Sequence, residues 1–220
     1  MVHKVQTMVK PRPIDAEKRR MVERHLAARG IDDPAVLAAM EAVPREAFVT
    51  PEQLRDAYAD RPLSIEAGQT ISQPYIVAFM AQELRLSHGD RVLDVGTGSG
   101  YAAAVLAEIT GQVFSIERID SLAHKAIETL MALGYDDRVQ VVTGDGTKGW
   151  PEAAPFDAIC VAAAAATIPP ELLAQLADGA RLVIPVADGS DQDLVVMERH
   201  GDSFFRRRIG AVRFVPLIES

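Results

Sequence analysis

From about Arg91 onward the chain alternates short apolar runs with stretches of helical spacing. RVLDV (91–95), QVFSIE (112–117), RVQVVT (138–143), FDAICVA (156–162) and ARLVIPV (180–186) read as strands. Between them, SGYAAAVLAEIT (99–110), IDSLAHKAIETLMALG (119–134) and PPELLAQLA (169–177) repeat apolar residues at helical intervals. This alternation predicts an α/β fold: a doubly wound, mostly parallel sheet with helices on both faces. After Val186 the helices cease. DLVVMER (193–199), a turn at His200-Gly201-Asp202 and SFFRRRIGAVRFVPL (203–217) predict an antiparallel pair that closes the sheet.

Upstream, short helices separated by proline are expected. DAEKRRMVERHLAARG (15–30) has Asp15 as cap, Met21, Val22 and Leu26 as apolar positions and Gly30 as stop. DDPAVLAAMEAV (32–43) comes next, with Asp33 as cap and Pro34 in its first turn. Thr50-Pro51-Glu52-Gln53 resembles a capping box that opens a third helix. None of these helices carries a catalytic constellation of its own. Residues 1–66 are therefore expected to form a helical cover over a core of residues 67–220.

Composition narrows the partners. The chain has 220 residues, 48% of them apolar, enough for one generous domain with a substantial core. No apolar run reaches the roughly 20 residues that span a bilayer, and MVHKVQTMVKPRPIDAEKRR lacks the apolar middle of a secretory signal. A soluble, cytoplasmic protein without a membrane partner is the expectation. A net charge of −8 opposes a phosphate backbone, so nucleic acid is not an expected partner. Arg206-Arg207-Arg208 lies in a segment of strand character, where charge keeps an edge soluble. Cys160 is the single cysteine and reads as a buried core residue. The five histidines (His3, His25, His88, His124 and His200) are scattered without ligand spacing, so no metal is expected. Asp32-Asp33 and Asp136-Asp137 read as caps or loop residues, and Trp150 as packing beside the site. Oligomeric state is not legible; a monomer is the simpler expectation.

The candidate chemistry begins at VLDVGTGSGY (92–101), where an apolar strand runs through Gly96, Gly98 and Gly100 into a helix. Glycines let the backbone turn sharply and approach a ligand closely. Their even spacing departs from the dinucleotide fingerprint. Asp94 just before them would oppose a pyrophosphate but suits a ligand with an ammonium group. Glu117 ends the second strand about 20 residues on, where an acidic side chain accepts from two ribose hydroxyls. Gly144-Asp145-Gly146 ends the third strand, placing Asp145 for an adenine edge. Three acidic strand ends around a glycine loop describe an adenosine pocket without a phosphate cradle; as separate residues, all three also read as turn and cap positions.

This pattern resembles the class I methyltransferases that use S-adenosylmethionine. QTISQPYIVAFMAQEL (69–84) narrows the resemblance to protein-L-isoaspartate O-methyltransferases. VPREAFV, GDGTKGW, FDAICVAAAAATIPPELLAQL, RLVIPV and VRFVPL extend it in family order over roughly residues 40 to 218. The resemblance implies a Rossmann-like methyltransferase core holding S-adenosylmethionine through Thr70, Ile71, Ser72, Asp94, Gly96, Thr97, Gly98, Gly100, Glu117, Asp145 and Gly146. It further implies Ser72 as the active-site residue and Val212, Val215, Pro216 and Leu217 as contacts to a peptide substrate. The implied reaction methylates the α-carboxylate of L-isoaspartyl residues, after which the ester collapses to a succinimide and partly reopens as aspartate. Two departures from the family pattern, Asp178-Gly179-Ala180 and Ala163, are expected to alter loop shape near the cofactor.

By its local sequence Ser72 also reads as a cap for the helix that begins near Pro74. Two other functions share most of these features: a methyltransferase for another small carboxylate, and a nucleotide-binding module without activity.

Overall fold

The computed structural model describes residues 13–219. His3 and most of the basic N-terminal stretch lie outside them. The first helix, α1 (Pro13–Arg20), has already begun before Asp15, so Asp15 sits in its first turn and is not the cap. It continues through a wider π turn, Met21–Leu26, and a 3-10 turn, Ala27–Arg29, to Gly30, whose φ of 93° ends it. Asp33 caps α2 (Pro34–Ala42), its carboxylate accepting from the backbone N–H of Ala35 at 2.8 Å and Val36 at 3.3 Å. The amide of Thr50 donates to Gln53 at 3.4 Å, but the segment it opens is a 3-10 turn, Pro51–Asp56, in place of the expected third α-helix.

A two-stranded antiparallel ribbon then forms from β1 (Leu63–Ser64) and β2 (Thr70–Ile71). Two residues are too few for any periodicity, so the sequence pattern does not show it. Helix α3 (Pro74–Leu84) comes next. Gln82 on α3 accepts from the N–H groups of Asp32 at 2.8 Å and Asp33 at 3.0 Å and donates to the carbonyl of Gly30 at 3.1 Å. One side chain thus fastens the turn before α2 to α3.

The sheet is built from β3 (Arg91–Val95), β4 (Gln112–Glu117), β5 (Val139–Thr143), β6 (Phe156–Val161), β7 (Leu176–Asp188), β8 (Asp191–His200) and β9 (Ser203–Ala211). Helices α4 (Tyr101–Thr110), α5 (Asp120–Ala132) and α6 (Pro170–Ala174) lie between strands. The order is β5-β4-β3-β6-β7-β8-β9, parallel through β7 and antiparallel at β8 and β9. The antiparallel closure is as expected, but β9 stops at Ala211, and 212–217 is a strap outside the sheet. On β9, the edge strand, Arg207 pairs with Glu83 and Arg208 with Asp193.

Strand alternation divides the core. Val92, Ala158, Cys160 and Val183 face one cluster, completed by α3, α4 and the N-terminal Met21, Leu26 and Met40. Leu93, Val95, Ile159 and Leu182 face the other, where Trp150 stacks edge-on to Phe114 at 5.6 Å. The chain moves outward from β3 toward β5, then returns to β6 and moves the other way. The loops after β3 and β6 therefore diverge, leaving a crevice at the carboxyl ends of the strands.

Gln82→Ala removes three hydrogen bonds to partly exposed backbone, and about 1–3 kcal/mol of stability should be lost in urea unfolding.

Candidate active site

The crevice opens into a cavity of about 270 Å³. Its floor is the turn after β3. Gly96 donates to the carbonyl of Ile116 at 2.8 Å with φ of 96°, and a Cβ there would meet Ala162 at 3.6 Å. Gly146 presses closer still: a Cβ would fall 2.5 Å from Cγ1 of Val95, so only glycine lets the loop after β5 reach this wall.

Glu117 governs the shape of the loop. Its side chain lines the cavity with only 7% of its surface exposed. Oε2 accepts from Gly98 N–H and Oε1 from Ile119 N–H, each at 2.9 Å. An ionised carboxylate has about four acceptor sites, so capacity remains for two adjacent hydroxyls on the cavity side. The chemistry of this acceptor fits a ribose.

Thr70, Ile71, Ser72, Gly96, Thr97, Gly98, Glu117 and Gly146 all line this cavity. Asp94, Gly100 and Asp145 do not. Gly100 is the cap of α4, where a Cβ would meet Leu130 at 3.3 Å. Asp145 turns back on its own loop, accepting from Thr147 N–H at 2.9 Å and Thr147 Oγ1 at 2.7 Å. Asp94 is 0% exposed; Ser115 Oγ donates to it at 2.7 Å and lies 2.6 Å from Thr97 Oγ1. Asp94 thus supports the loop through Ser115 and Thr97, from beneath the place where an ammonium group was expected to meet it. Burial pushes its carboxyl up to about 6; the Ser115 bond opposes this and the charge of Glu117 adds to it.

A second cavity, of about 650 Å³, adjoins the first. Thr70, Ser72, Ala162 and Val215 line both. Val212 faces the second cavity, and Pro216 and Leu217 the first. The strap that carries them is held by backbone bonds, Ala164 N–H to Val215 and Leu217 N–H to Ala164, each 2.8 Å. The cap position of α3 is Gln73, so Ser72 is not the cap, and its hydroxyl has no hydrogen-bond partner among the described residues.

Sequence reasoning did not name Ala162, Arg118 or Tyr101, which also line the first cavity. Arg118 comes directly after Glu117, so the same strand-end rule points to it; Ala162 is found only once β3 and β6 are known to be neighbours. Ala163 does reach the cavity, as expected. Residues 178–180 do not shape it: they lie in the first part of β7, at the opposite end of the sheet, where Asp178 accepts from Gly201 N–H at 2.7 Å. Among the described residues no group of His, Cys, Asp and Glu is arranged to hold a metal, and no helix is long and apolar enough to cross a membrane.

The family model described as protein-L-isoaspartate(D-aspartate) O-methyltransferase matches residues 16–220. The chain belongs to that family. A protein-L-isoaspartate O-methyltransferase of Methanoregula boonei is 52% identical over 211 residues, 96% of this chain and 97% of the relative. One of Rhodopseudomonas palustris is 57% identical over 201 residues, 90% and 91% of the two chains. A solved Plasmodium falciparum protein of the same description, in complex with S-adenosyl-L-homocysteine, is 28% identical with a TM-score of 0.83 over 92% of this chain and 99% of that one. As a family member the chain is an S-adenosylmethionine-dependent methyltransferase, and the Glu117 cavity has the chemistry to hold that cofactor.

Two measurements check this geometry. Glu117→Gln places an amide donor against a backbone N–H, and S-adenosylhomocysteine affinity in calorimetry should fall roughly 10–100-fold, from about 1.5–3 kcal/mol of charge-assisted bonding. Asp94 has a folded pKa raised above its ordinary 3.8, so the fold favours its neutral form, and its contribution is best below that value and declines as pH rises through about 6. Relative to the Asp94→Asn variant, wild type should therefore lose on the order of 3 kcal/mol in urea unfolding between about pH 4 and pH 7.

Proposed function

We propose that the chain methylates the α-carboxylate of L-isoaspartyl residues in damaged proteins and peptides, with Ser72 orienting the acceptor. The observation that carries the residue assignments is the junction of the two cavities at Thr70, Ser72, Ala162 and Val215, with an uncommitted hydroxyl standing there.

Bound S-adenosylmethionine supplies a methyl group already activated by its sulfonium. The isoaspartyl α-carboxylate is ionised at neutral pH, so no general base is needed. Among the described residues no histidine lines either cavity to activate Ser72 as a nucleophile. Ser72 instead donates a hydrogen bond to one carboxylate oxygen and leaves the other facing the donor cavity. Glu117 and the glycine loop hold the donor's ribose end, while Ile71 and the strap at Val215–Leu217 restrict water between the two cavities. Alignment and desolvation then supply most of the rate.

The larger acceptor cavity is lined by the consecutive residues 211–215, which gives a peptide an extended surface to lie along and favours peptides over a small free acid. The net charge of −8 favours protein acceptors over nucleic acid. The lone, buried Cys160 is consistent with a cytoplasmic setting. Repair is a consequence of the chemistry, since the ester loses methanol in succinimide closure more readily than the carboxylate loses water.

An isoaspartyl peptide should accept methyl groups while its normal aspartyl twin does not; equal uptake would end this reading. Ser72→Ala should lower kcat roughly 10–100-fold with S-adenosylhomocysteine affinity unchanged, and near-normal turnover would remove the role given to Ser72.

A further inference from the structure

Arg45 is a buried cation that the reaction as described leaves unused. It stands in the 3-10 turn Arg45–Phe48 with 0% of its surface exposed, and no carboxylate among the described residues forms an ion pair with it. Taking a guanidinium out of water without an opposite charge costs several kcal/mol, and an apolar side chain of similar volume would serve the core better. Its bonds show what it holds. Nε donates to the carbonyl of Ala57 and Nη2 to the carbonyl of Ser72, both at 2.8 Å. The guanidinium carbon lies 4.6 Å from the ring centroid of Tyr101, a side chain on the wall of the donor cavity.

The next residue is anchored from the other side. Asp60 accepts from Gln73 Nε2 at 2.8 Å and from Tyr75 N–H at 3.2 Å. Ser72 therefore leaves β2 with its carbonyl gripped by Arg45 and its successor gripped by Asp60, while its hydroxyl has no hydrogen-bond partner among the described residues.

We propose that Arg45 is a positioning residue for methyl transfer, fixing the Ser72 peptide so that the hydroxyl faces the junction of the donor and acceptor cavities. This rests on the role given to Ser72 above. The planar fork of arginine reaches two carbonyls at once in one geometry, whereas lysine keeps the charge without the fork.

The test is a double-mutant cycle in the full chain: Arg45→Lys, Ser72→Ala and both together. It reads kcat and KM for an isoaspartyl peptide, S-adenosylhomocysteine affinity by calorimetry, and the melting temperature. Arg45→Lys should lower kcat roughly tenfold or more when Ser72 is present, but less than about threefold when Ser72→Ala is already in place, because both changes disable one device. Cofactor-product affinity should stay within about threefold in every variant. Equal losses of kcat in the two backgrounds would show that Arg45 only supports the fold, and an unchanged kcat in Arg45→Lys would equally overturn the proposal. Normal turnover in Ser72→Ala alone would remove the role of Ser72 and this proposal with it, and that single variant distinguishes the two failures. If Arg45→Lys does not fold, the Nε–H resonance of Arg45 in the wild-type protein carries the test: it should shift on adding the isoaspartyl peptide and not the aspartyl twin, and no shift would overturn the proposal.

Discussion

Each oxygen of Glu117 receives one backbone N–H, from Gly98 after β3 and from Ile119 after β4, and this pair of bonds ties together the loops that follow two adjacent strands. Both loops line the cavity, at residues 96–99 and 117–119. β3 and β4 run parallel in register from Arg91 and Gln112, so their ends arrive at the same level, and the carboxylate at the end of β4 reaches the turn after β3. A neutral side chain of the same shape would set a donor against one of the two amides. The charge is therefore part of the architecture before any ligand is considered.

Around that tie the remaining parts act by position. Gly146 permits close approach to Val95, and Ala162 closes the floor from β6. The strap 212–217 crosses from the far side of the sheet and is pinned by Ala164 and Gln192. β2 brings Thr70, Ile71 and Ser72 over the opening from the other direction. Under the proposed reaction the acceptor carries its own negative charge and the methyl group its own activation, so the work left to a frame of this kind is positioning.

Two polar supports underlie the site. Asp94, Ser115 and Thr97 form one chain of hydrogen bonds under the glycine loop, and Arg45 forms a second support beneath Ser72. Neither Asp94 nor Arg45 lines either of the two cavities, and burial works against the charge of both. Their cost to the fold is set against the rigidity they give to the residues directly above them.

Strands, helices and the glycine loop were legible in the sequence, since period-2 and helical spacing act within a few residues: β3 and β4 fall at 91–95 and 112–117 as read. Glu117 was legible as well, because its place depends on strand length alone. Asp94 and Asp145 sit at equally suggestive strand ends, yet one points under the loop and the other caps its own turn. Which way a strand-end side chain turns depends on neighbours such as Ser115 and Thr147, and a linear pattern does not show them. The same holds for the junction at Ser72. Residues 72, 162 and 215 meet only because β6 lies beside β3, the strap returns over them and Arg45 holds one peptide from below. Local propensity determined the elements, and long-range packing decided which of their ends face one another across the same few ångströms.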